Sequence, residues 1–164
     1  KKLFGILQIF IPSYLLIILL KKPNNYKFDF RKVHYTFLFS DISGFTKLLN
    51  ELQNSGDQAA EILTTTINSI FTNFISIINE YGGSILKFGG DSLMAMYPEN
   101  INNKSMAKIN AAYTALKIID FLKNKQPIEI FKKKYVFNIH IVLSIFPTDK
   151  GTILLSIKYD ILHI

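Results

Sequence analysis

The chain has 164 residues, enough for one domain with a hydrophobic core, and its content of 49% hydrophobic and 13% aromatic residues argues against disorder. It contains no cysteine, which excludes disulfides, thiolate metal sites and a cysteine nucleophile and suits a cytoplasmic protein. The net charge of +7 comes from scattered lysines, so we expect a solvated basic surface and no nucleic-acid partner.

The first distinctive segment is residues 3–20, a nearly apolar stretch bracketed by lysine pairs. Its length is at the lower limit for a transmembrane helix, but polar and helix-breaking residues interrupt it, namely Gln8, Pro12 and Ser13. We therefore expect residues 1–32 to be an apolar lead-in helix and linker, followed by a domain over residues 33–164. A transmembrane helix and an interfacial helix remain alternatives, so membrane contact through residues 1–22 and membrane association stay open.

The next segment combines a strand pattern with a carboxylate. An apolar run from Val33 to Phe39 predicts a buried strand that ends at Asp41. Ile42 to Phe45 are then expected to open a helix with free backbone N–H groups, where the helix dipole favours phosphate. A carboxylate beside a phosphate can hold the Mg²⁺ that the phosphate carries. The segment therefore predicts a phosphate-and-metal loop.

A second carboxylate follows fifty residues later. Two short apolar runs flank Gly89-Gly90-Asp91, which is typical of a β-hairpin whose glycines supply the positive φ values of the turn. If a hairpin strand neighbours the first strand, Asp41 and Asp91 converge. Because two close carboxylates repel unless cations lie between them, the residues predict a two-metal site for a nucleotide polyphosphate.

Two helices are predicted by their apolar periodicity. The first begins near Asp57 and ends at a glycine cap, Glu80-Tyr-Gly-Gly83, and its apolar stripe contains Ile62, Leu63, Ile67, Ile70, Phe71, Phe74, Ile75 and Ile78. The second spans about residues 104–124, and the side chains expected to face inward are Ala107, Ala111, Ala115, Leu116, Ile119 and Leu122.

The last elements are strands. Residues 134–146 alternate, with Phe137, Ile139, Ile141, Leu143 and Ile145 on one side, and residues 151–159 predict a further strand. The order of strand, helices, hairpin, helix and strands predicts an α+β fold with helices on one face of the sheet. His34, His140 and His163 do not cluster in sequence, so none is assigned to metal binding or proton transfer.

These motifs together resemble the class III adenylyl and guanylyl cyclases, most closely the first catalytic domain of the bicarbonate-responsive soluble adenylyl cyclase. The resemblance rests on Phe39-Ser-Asp-Ile-Ser-Gly-Phe-Thr46, the helix ending at Gly83, and Leu86-Lys-Phe-Gly-Gly-Asp-Ser-Leu93, which follow in the family's order and at about its spacing. It implies a ferredoxin-like catalytic sheet and the formation of cyclic AMP and pyrophosphate from ATP.

The resemblance also implies the parts of the site. Asp41, Asp91 and the carbonyl of Ile42 would hold two Mg²⁺ ions, with Mn²⁺ as an alternative, and the segment from Ser43 through Gly44 and Phe45 to Thr46 would bind phosphate. Lys87 matches a lysine that contacts adenine in homodimeric adenylyl cyclases, or one associated with bicarbonate in the soluble enzymes. The alternative is a strand lysine that only discourages edge aggregation.

The chain also departs from the family. Residues 141–147 are Ile-Val-Leu-Ser-Ile-Phe-Pro where the family has glycines, and the family's transition-state asparagine and arginine are not found before Ile164. We therefore expect a C-terminally incomplete domain that needs a second cyclase domain, in the same chain or as a dimer, and is inactive alone. Alternatives are an inactive dimerisation or nucleotide-sensing module, a diguanylate cyclase, and a membrane-anchored fragment with a decayed domain.

Overall fold

A computed structural model of the chain describes residues 34–44, 57–99, 104–130, 133–148 and 151–159, with Leu20, Leu48, Asn50 and Glu51. Two long helices and seven strands lie in these ranges. In chain order they are β1 (Tyr35–Ser43), α1 (Asp57–Glu80), β2 (Ser84–Gly89), β3 (Ser92–Pro98), α2 (Lys104–Lys125), β4 (Ile128–Ile130), β5 (Lys133–Tyr135), β6 (Asn138–Thr148) and β7 (Gly151–Tyr159).

Five strands form one antiparallel sheet with β1 at its centre, in the order β2-β3-β1-β6-β7. The hairpin β2–β3 is therefore a direct neighbour of β1, as the convergence of the two aspartates requires. β4 and β5 form a separate two-stranded hairpin. Residues 141–147, which lack the family's glycines, lie within β6, and this strand pairs with β1 on one side and β7 on the other.

The two faces of the sheet differ in what covers them. Alternate residues of β1, among them Leu38 and Ile42, are fully buried under α1 and α2, while Phe39 and Asp41 on the opposite face are exposed. Since side chains alternate along a strand, the two long helices pack on one face of the sheet. The predicted α+β class with helices on one face is thus confirmed, and we call the other side the open face.

Helix α1 and its end follow the prediction. Gly82 adopts a φ of +74°, and the amides of Gly82 and Gly83 donate to the carbonyls of Asn79 and Ile78, which is a Schellman cap. Gly83 has a second role, because a Cβ there would lie 2.6 Å from Cζ of Tyr97. The cap therefore fixes the route of the chain from α1 into β2.

Helix α2 has the predicted length but one prediction on its inner face is wrong. Its buried stripe consists of Ala107, Ala111, Ala115, Ile118 and Leu122, whereas Leu116 is 56% exposed. The three alanines, at four-residue steps, form a flat and narrow surface that packs on the sheet. Successive residues of a helix are about 100° apart around its axis, so Leu116 lies about 100° away from its neighbour Ala115. Leu116 consequently points to solvent.

The strand predicted over residues 134–146 is divided in two. β5 pairs with β4, which was not predicted, and β6 begins only at Asn138. Between them the side chain of Gln126 holds the backbone of Phe137, since its Nε2 donates to the carbonyl at 2.6 Å and its Oε1 accepts from the amide at 3.2 Å. This contact occupies both main-chain groups of Phe137, so the ladder cannot continue through that residue.

The lead-in predicted over residues 3–20 lies outside the described residues, apart from Leu20. Within the described part of the chain, no helix has both the length and the apolar character needed to cross a membrane.

The buried side chain of Tyr97 should make the folding stability of the domain depend on pH. Its hydroxyl donates to Oγ1 of Thr114 at 2.8 Å, and burial raises the pKa of Tyr97 well above its usual value of about 10, with the hydrogen bond opposing the shift. Above pH 10 the unfolded chain loses this proton while the folded chain keeps it. Stability is therefore fully present below pH 10 and declines by up to about 1.4 kcal/mol per pH unit above it.

We expect the Tyr97→Phe variant to lack the part of the stability loss above pH 10 that Tyr97 causes. At pH 7 it should lose about 1 kcal/mol for the missing hydrogen bond, because Thr114 still donates to the carbonyl of Asn110 at 2.8 Å. Urea unfolding between pH 7 and pH 11 measures both effects. Parallel stability curves for the two proteins above pH 10 would contradict the assignment.

Candidate functional site

The two predicted metal-binding carboxylates belong to neighbouring strands. Asp41 pairs in register with Ser92, the residue after Asp91. The amide of Ile42 donates to the carbonyl of Asp91 at 3.0 Å, so a main-chain hydrogen bond joins Asp91 to the residue that follows Asp41. The sheet thus brings together two residues that are fifty positions apart in the sequence.

The hairpin turn that carries Asp91 is built from glycine and serine. Gly90 has a φ of +68°, which a residue with a Cβ adopts only at a cost. Oγ of Ser92 donates to the carbonyl of Gly89 at 2.9 Å and closes the turn, and a Cβ on Gly89 would lie 2.7 Å from this oxygen. The turn therefore has the conformation that was predicted from its glycines.

Neither carboxylate is turned into the core. Asp41 is exposed and Asp91 is half-buried. Carboxylate oxygens are the hard ligands that Mg²⁺ prefers, and such an ion keeps several ligands from water or from substrate phosphates. Among the described residues, no group of three or more histidine or acidic side chains lies together, so the remaining ligands would come from backbone, solvent or nucleotide. The carboxylates of Asp41 and Asp91 therefore suit Mg²⁺ ions that are also coordinated by the phosphates of a nucleotide.

One part of the predicted loop is wrong. β1 does not end at Asp41 but continues to Ser43, which pairs with Asn138, and the amide of Ile42 is occupied by Asp91. This amide is consequently not free for phosphate. The chain leaves the strand at Gly44, where φ is +100°, and the carbonyl of Gly44 accepts from the amide of Leu48 at 3.1 Å.

Of the four residues predicted to bind phosphate, the structure describes Ser43 and Gly44. Ser43 is the last residue of β1 and Gly44 follows it directly, and both are exposed. Phe45 and Thr46 lie outside the described residues. Ser43 and Gly44 thus lie beside the two acidic residues, where the predicted phosphate-binding segment begins.

A groove of about 300 Å³ runs over the open face beside Asp41. Phe39, Met94 and Val142 provide apolar surface, and Asp41, Lys87 and His140 provide the polar and charged groups. Mostly apolar walls with a few polar groups are typical of pockets that bind small molecules. The groove is therefore the candidate site that the structure adds to the two carboxylates.

Lys87 lines this groove from β2, the edge strand of the sheet. Its side chain is exposed, and in register it lies opposite Met94. The position is compatible with contact to a bound molecule. It is equally that of an edge-strand lysine, which is the structural alternative.

His140 is a groove residue that sequence reasoning did not assign. It lies opposite Asp41 in register, and its Nε2 is 2.7 Å from Oγ of Ser156 on β7. Its position on the polar side of the alternating pattern, between buried Ile139 and Ile141, was the available signal. A histidine on the same face as the predicted Asp41 could have been assigned to the site on that basis.

Comparison with known proteins identifies the family of this architecture. The sequence family described as adenylate and guanylate cyclase catalytic domain matches residues 30–161. Adenylate cyclase type 10 of Rattus norvegicus is 36% identical over 62 residues, which are 37% of this chain and 4% of that protein. The match thus spans a small fraction of the length of this curated relative.

Two solved structures share the fold. The adenylyl cyclase CyaB from P. aeruginosa is 25% identical with a TM-score of 0.56, and the match covers 77% of this chain and 66% of that one. A bacterial light-regulated adenylyl cyclase is 22% identical with a TM-score of 0.65, covering 95% of this chain and 45% of that one. The predicted cyclase fold is therefore confirmed by structure as well as by sequence.

Proposed function

Because this chain belongs to the adenylate and guanylate cyclase catalytic domain family, we propose that it converts ATP to cyclic AMP and pyrophosphate as one half of a shared site. The observation that carries the proposal is the hydrogen bond from the amide of Ile42 to the carbonyl of Asp91, which keeps Asp91 beside the strand position of Asp41. The ribose 3′-oxygen would bond to the α-phosphorus, the bond from that phosphorus to the bridging oxygen would break, the hydroxyl proton would pass to solvent, and pyrophosphate would leave.

Asp41, Asp91 and the carbonyl of Ile42 are the groups that would hold two Mg²⁺ or Mn²⁺ ions. When bound, such ions neutralise the polyphosphate and lower the pKa of the attacking hydroxyl. The contribution of the chain itself is positioning, since both carboxylates sit on a paired β-ladder and a closed turn rather than on loose loops. Ser43 and Gly44 stand where the triphosphate would approach the backbone. Rigid placement of this kind is a large part of catalysis when the substrate brings its own charge.

The choice of ATP over GTP rests on Lys87 and on the apolar floor of the groove. Phe39 and Met94 offer surface to the face of a purine, and Lys87 stands at the rim of the same groove. A lysine there resembles the adenine-contacting lysine of homodimeric adenylyl cyclases. The alternative association with bicarbonate uses the same residue.

A second cyclase domain is the proposed partner. The described residues place both long helices on one face and leave Phe39, Asp41 and Lys87 exposed on the open face of the sheet or at its edge. A groove walled on one side leaves a nucleotide partly in solvent, whereas small-molecule sites usually bury most of their ligand. The partner would close the groove and contribute the transition-state asparagine and arginine.

A catalytically inactive module for dimerisation or nucleotide sensing is the second candidate. It is favoured by β6, where residues 141–147 lack the family's glycines and still pair with β1 and β7, with a register shift against β7 between Ile145 and Thr148. The fold tolerates this change, while a groove built on glycines would be narrowed by it. In this case nucleotide would bind without any product, even with the partner present.

The test is turnover with and without a partner. The chain alone, given ATP and Mg²⁺ or Mn²⁺, should form no cyclic AMP above background but should bind ATP in a metal-dependent manner. Addition of a cyclase domain that carries the asparagine and arginine should start turnover. Robust turnover by the isolated monomer would refute the half-site, binding without turnover in the presence of the partner would favour the inactive module, and absence of binding would refute both.

A further inference from the structure

Asp41 and His140 are direct cross-strand neighbours on the open face. β1 and β6 pair antiparallel, and in their register Asp41 lies opposite His140. Opposite residues of an antiparallel pair share one face and have Cβ atoms about 4.5–5.5 Å apart. Both side chains are exposed, and both line the groove. A carboxylate and an imidazole therefore stand side by side where the metal ions are proposed to bind.

The carboxylate of Asp41 has no competing partner. Across the described ranges of the chain, it accepts no hydrogen bond, and no cationic side chain lies within ion-pair distance of it. An exposed carboxylate in this condition is available to a cation from solvent, and charged oxygens are good ligands for divalent ions. An ion that enters the groove thus meets a free oxygen ligand next to the imidazole.

His140 is oriented by a contact on its other side. Its Nε2 lies 2.7 Å from Oγ of Ser156, which pairs with Val142 and so lies on the same face of β7. A histidine that binds a metal through one ring nitrogen usually donates the N–H of the other to a nearby oxygen, which fixes the ring and its tautomer. When Nε2 carries the proton and donates it to Ser156, Nδ1 keeps its lone pair.

We propose that Nδ1 of His140 joins a carboxylate oxygen of Asp41 as a ligand of one of the metal ions. Bonds from such an ion to nitrogen and to oxygen are about 2.0–2.2 Å long, which fits between side chains whose Cβ atoms are about 5 Å apart. The described residues form no cluster of three histidine or acidic side chains, so water or phosphate supplies the other ligands. This inference rests on the metal role that the proposed function gives to Asp41.

A nitrogen ligand changes which ion the site prefers. Mg²⁺ is a hard cation that takes oxygen ligands, whereas imidazole suits transition-metal ions. A site built from carboxylates and carbonyls alone would discriminate little between Mg²⁺ and Mn²⁺. With His140 as a ligand, the site favours Mn²⁺ over Mg²⁺, and the preference depends on this one residue.

Electron spin echo spectroscopy of bound Mn²⁺ tests the contact directly. The full chain, without an affinity tag or nucleotide, is kept in excess over Mn²⁺, so that any nitrogen modulation of the echo comes from the protein. The chain has three histidines. His140→Ala should abolish the modulation of a coordinated imidazole, while the matched controls His34→Ala and His163→Ala should retain it. Because His140 is exposed, its variant should unfold at the same urea concentration as the parent chain.

Equilibrium dialysis measures the preference for one ion over the other. His140→Ala should weaken Mn²⁺ binding at least about tenfold and change Mg²⁺ binding by less than about twofold. Ser156→Ala removes the group that orients the ring, so it should weaken Mn²⁺ binding up to about tenfold while the nitrogen modulation remains. Ser156 is thus a positioning residue, and retention of the modulation separates this role from that of a ligand.

The outcomes distinguish this inference from the proposed function. Modulation that survives His140→Ala, equal losses of Mn²⁺ and Mg²⁺ affinity, or absence of Mn²⁺ binding by the parent chain would overturn the role of His140. Failure of the proposed function has a different signature, namely metal-dependent ATP binding that is unchanged in Asp41→Asn and Asp91→Asn. Loss of the modulation in His140→Ala would support the nitrogen ligand even in that case.

Discussion

Asp41→Asn and Asp91→Asn should each weaken metal-dependent ATP binding at least about tenfold, or about 1.4 kcal/mol. Each substitution removes one of two negative charges while keeping the shape of the side chain, and Mg²⁺ and Mn²⁺ depend on charged oxygen ligands. Because neither carboxylate is buried, both variants should unfold at the same urea concentration as the parent chain. Titration of a fluorescent ATP analogue with Mn²⁺ measures the affinity, and competition by GTP should be weaker than competition by ATP.

The matched control is Asp120→Asn, which neutralises an exposed aspartate on α2, on the covered side of the sheet. It should leave ATP affinity unchanged within a factor of two, so that any loss at Asp41 or Asp91 reports local geometry rather than net charge. If all three variants bind ATP equally well, or if binding to the parent chain does not need a divalent metal, the two-carboxylate site is wrong.

Phe74→Ala should destabilise the domain by about 3–5 kcal/mol. Phe74 is fully buried in α1 and makes edge-to-face contacts with Phe71 and Phe121, with ring centroids 6.0 and 6.1 Å away. Removing the ring leaves a cavity between the two helices and the sheet that the neighbouring side chains can fill only in part. Urea unfolding followed by circular dichroism measures the loss, which is a large fraction of the stability of a typical domain.

Phe88→Ala is the control for this core prediction. Phe88 also packs edge-on against Phe71, with centroids 5.8 Å apart, but it is 48% exposed on β2. Its truncation should cost less than about 1.5 kcal/mol, because half of the ring already contacts water and no cavity forms. Similar losses at positions 74 and 88 would mean that the core is not organised around Phe74 as described.

The sequence was most informative where a local pattern determines structure. The alternation along β1 and β6, the glycines of the hairpin turn and the glycine cap after α1 each require their conformation through sterics or burial, and all were predicted. The pairing of the hairpin with β1 was a further hypothesis. It was confirmed by the register of Asp41 with Ser92.

The predictions that were wrong concern contacts between residues far apart in sequence. The amide of Ile42 is occupied by Asp91, and the strand predicted over residues 134–146 is interrupted by the side chain of Gln126, neither of which a local pattern reveals. Leu116 was misplaced for a different reason. Helix α2 has apolar residues on two opposite faces, and hydrophobicity alone does not tell which face meets the sheet.

The contact between Ile42 and Asp91 has a consequence for how such domains change over time. Because it joins main-chain atoms, it requires no particular side chain at either position. If the two acids hold metal as proposed, a relative that has lost one of them would retain the spacing of the two positions, so loss of the metal site would leave the architecture intact. Reversal of such a loss would then need only a single codon change, since the vacant position is already held in place.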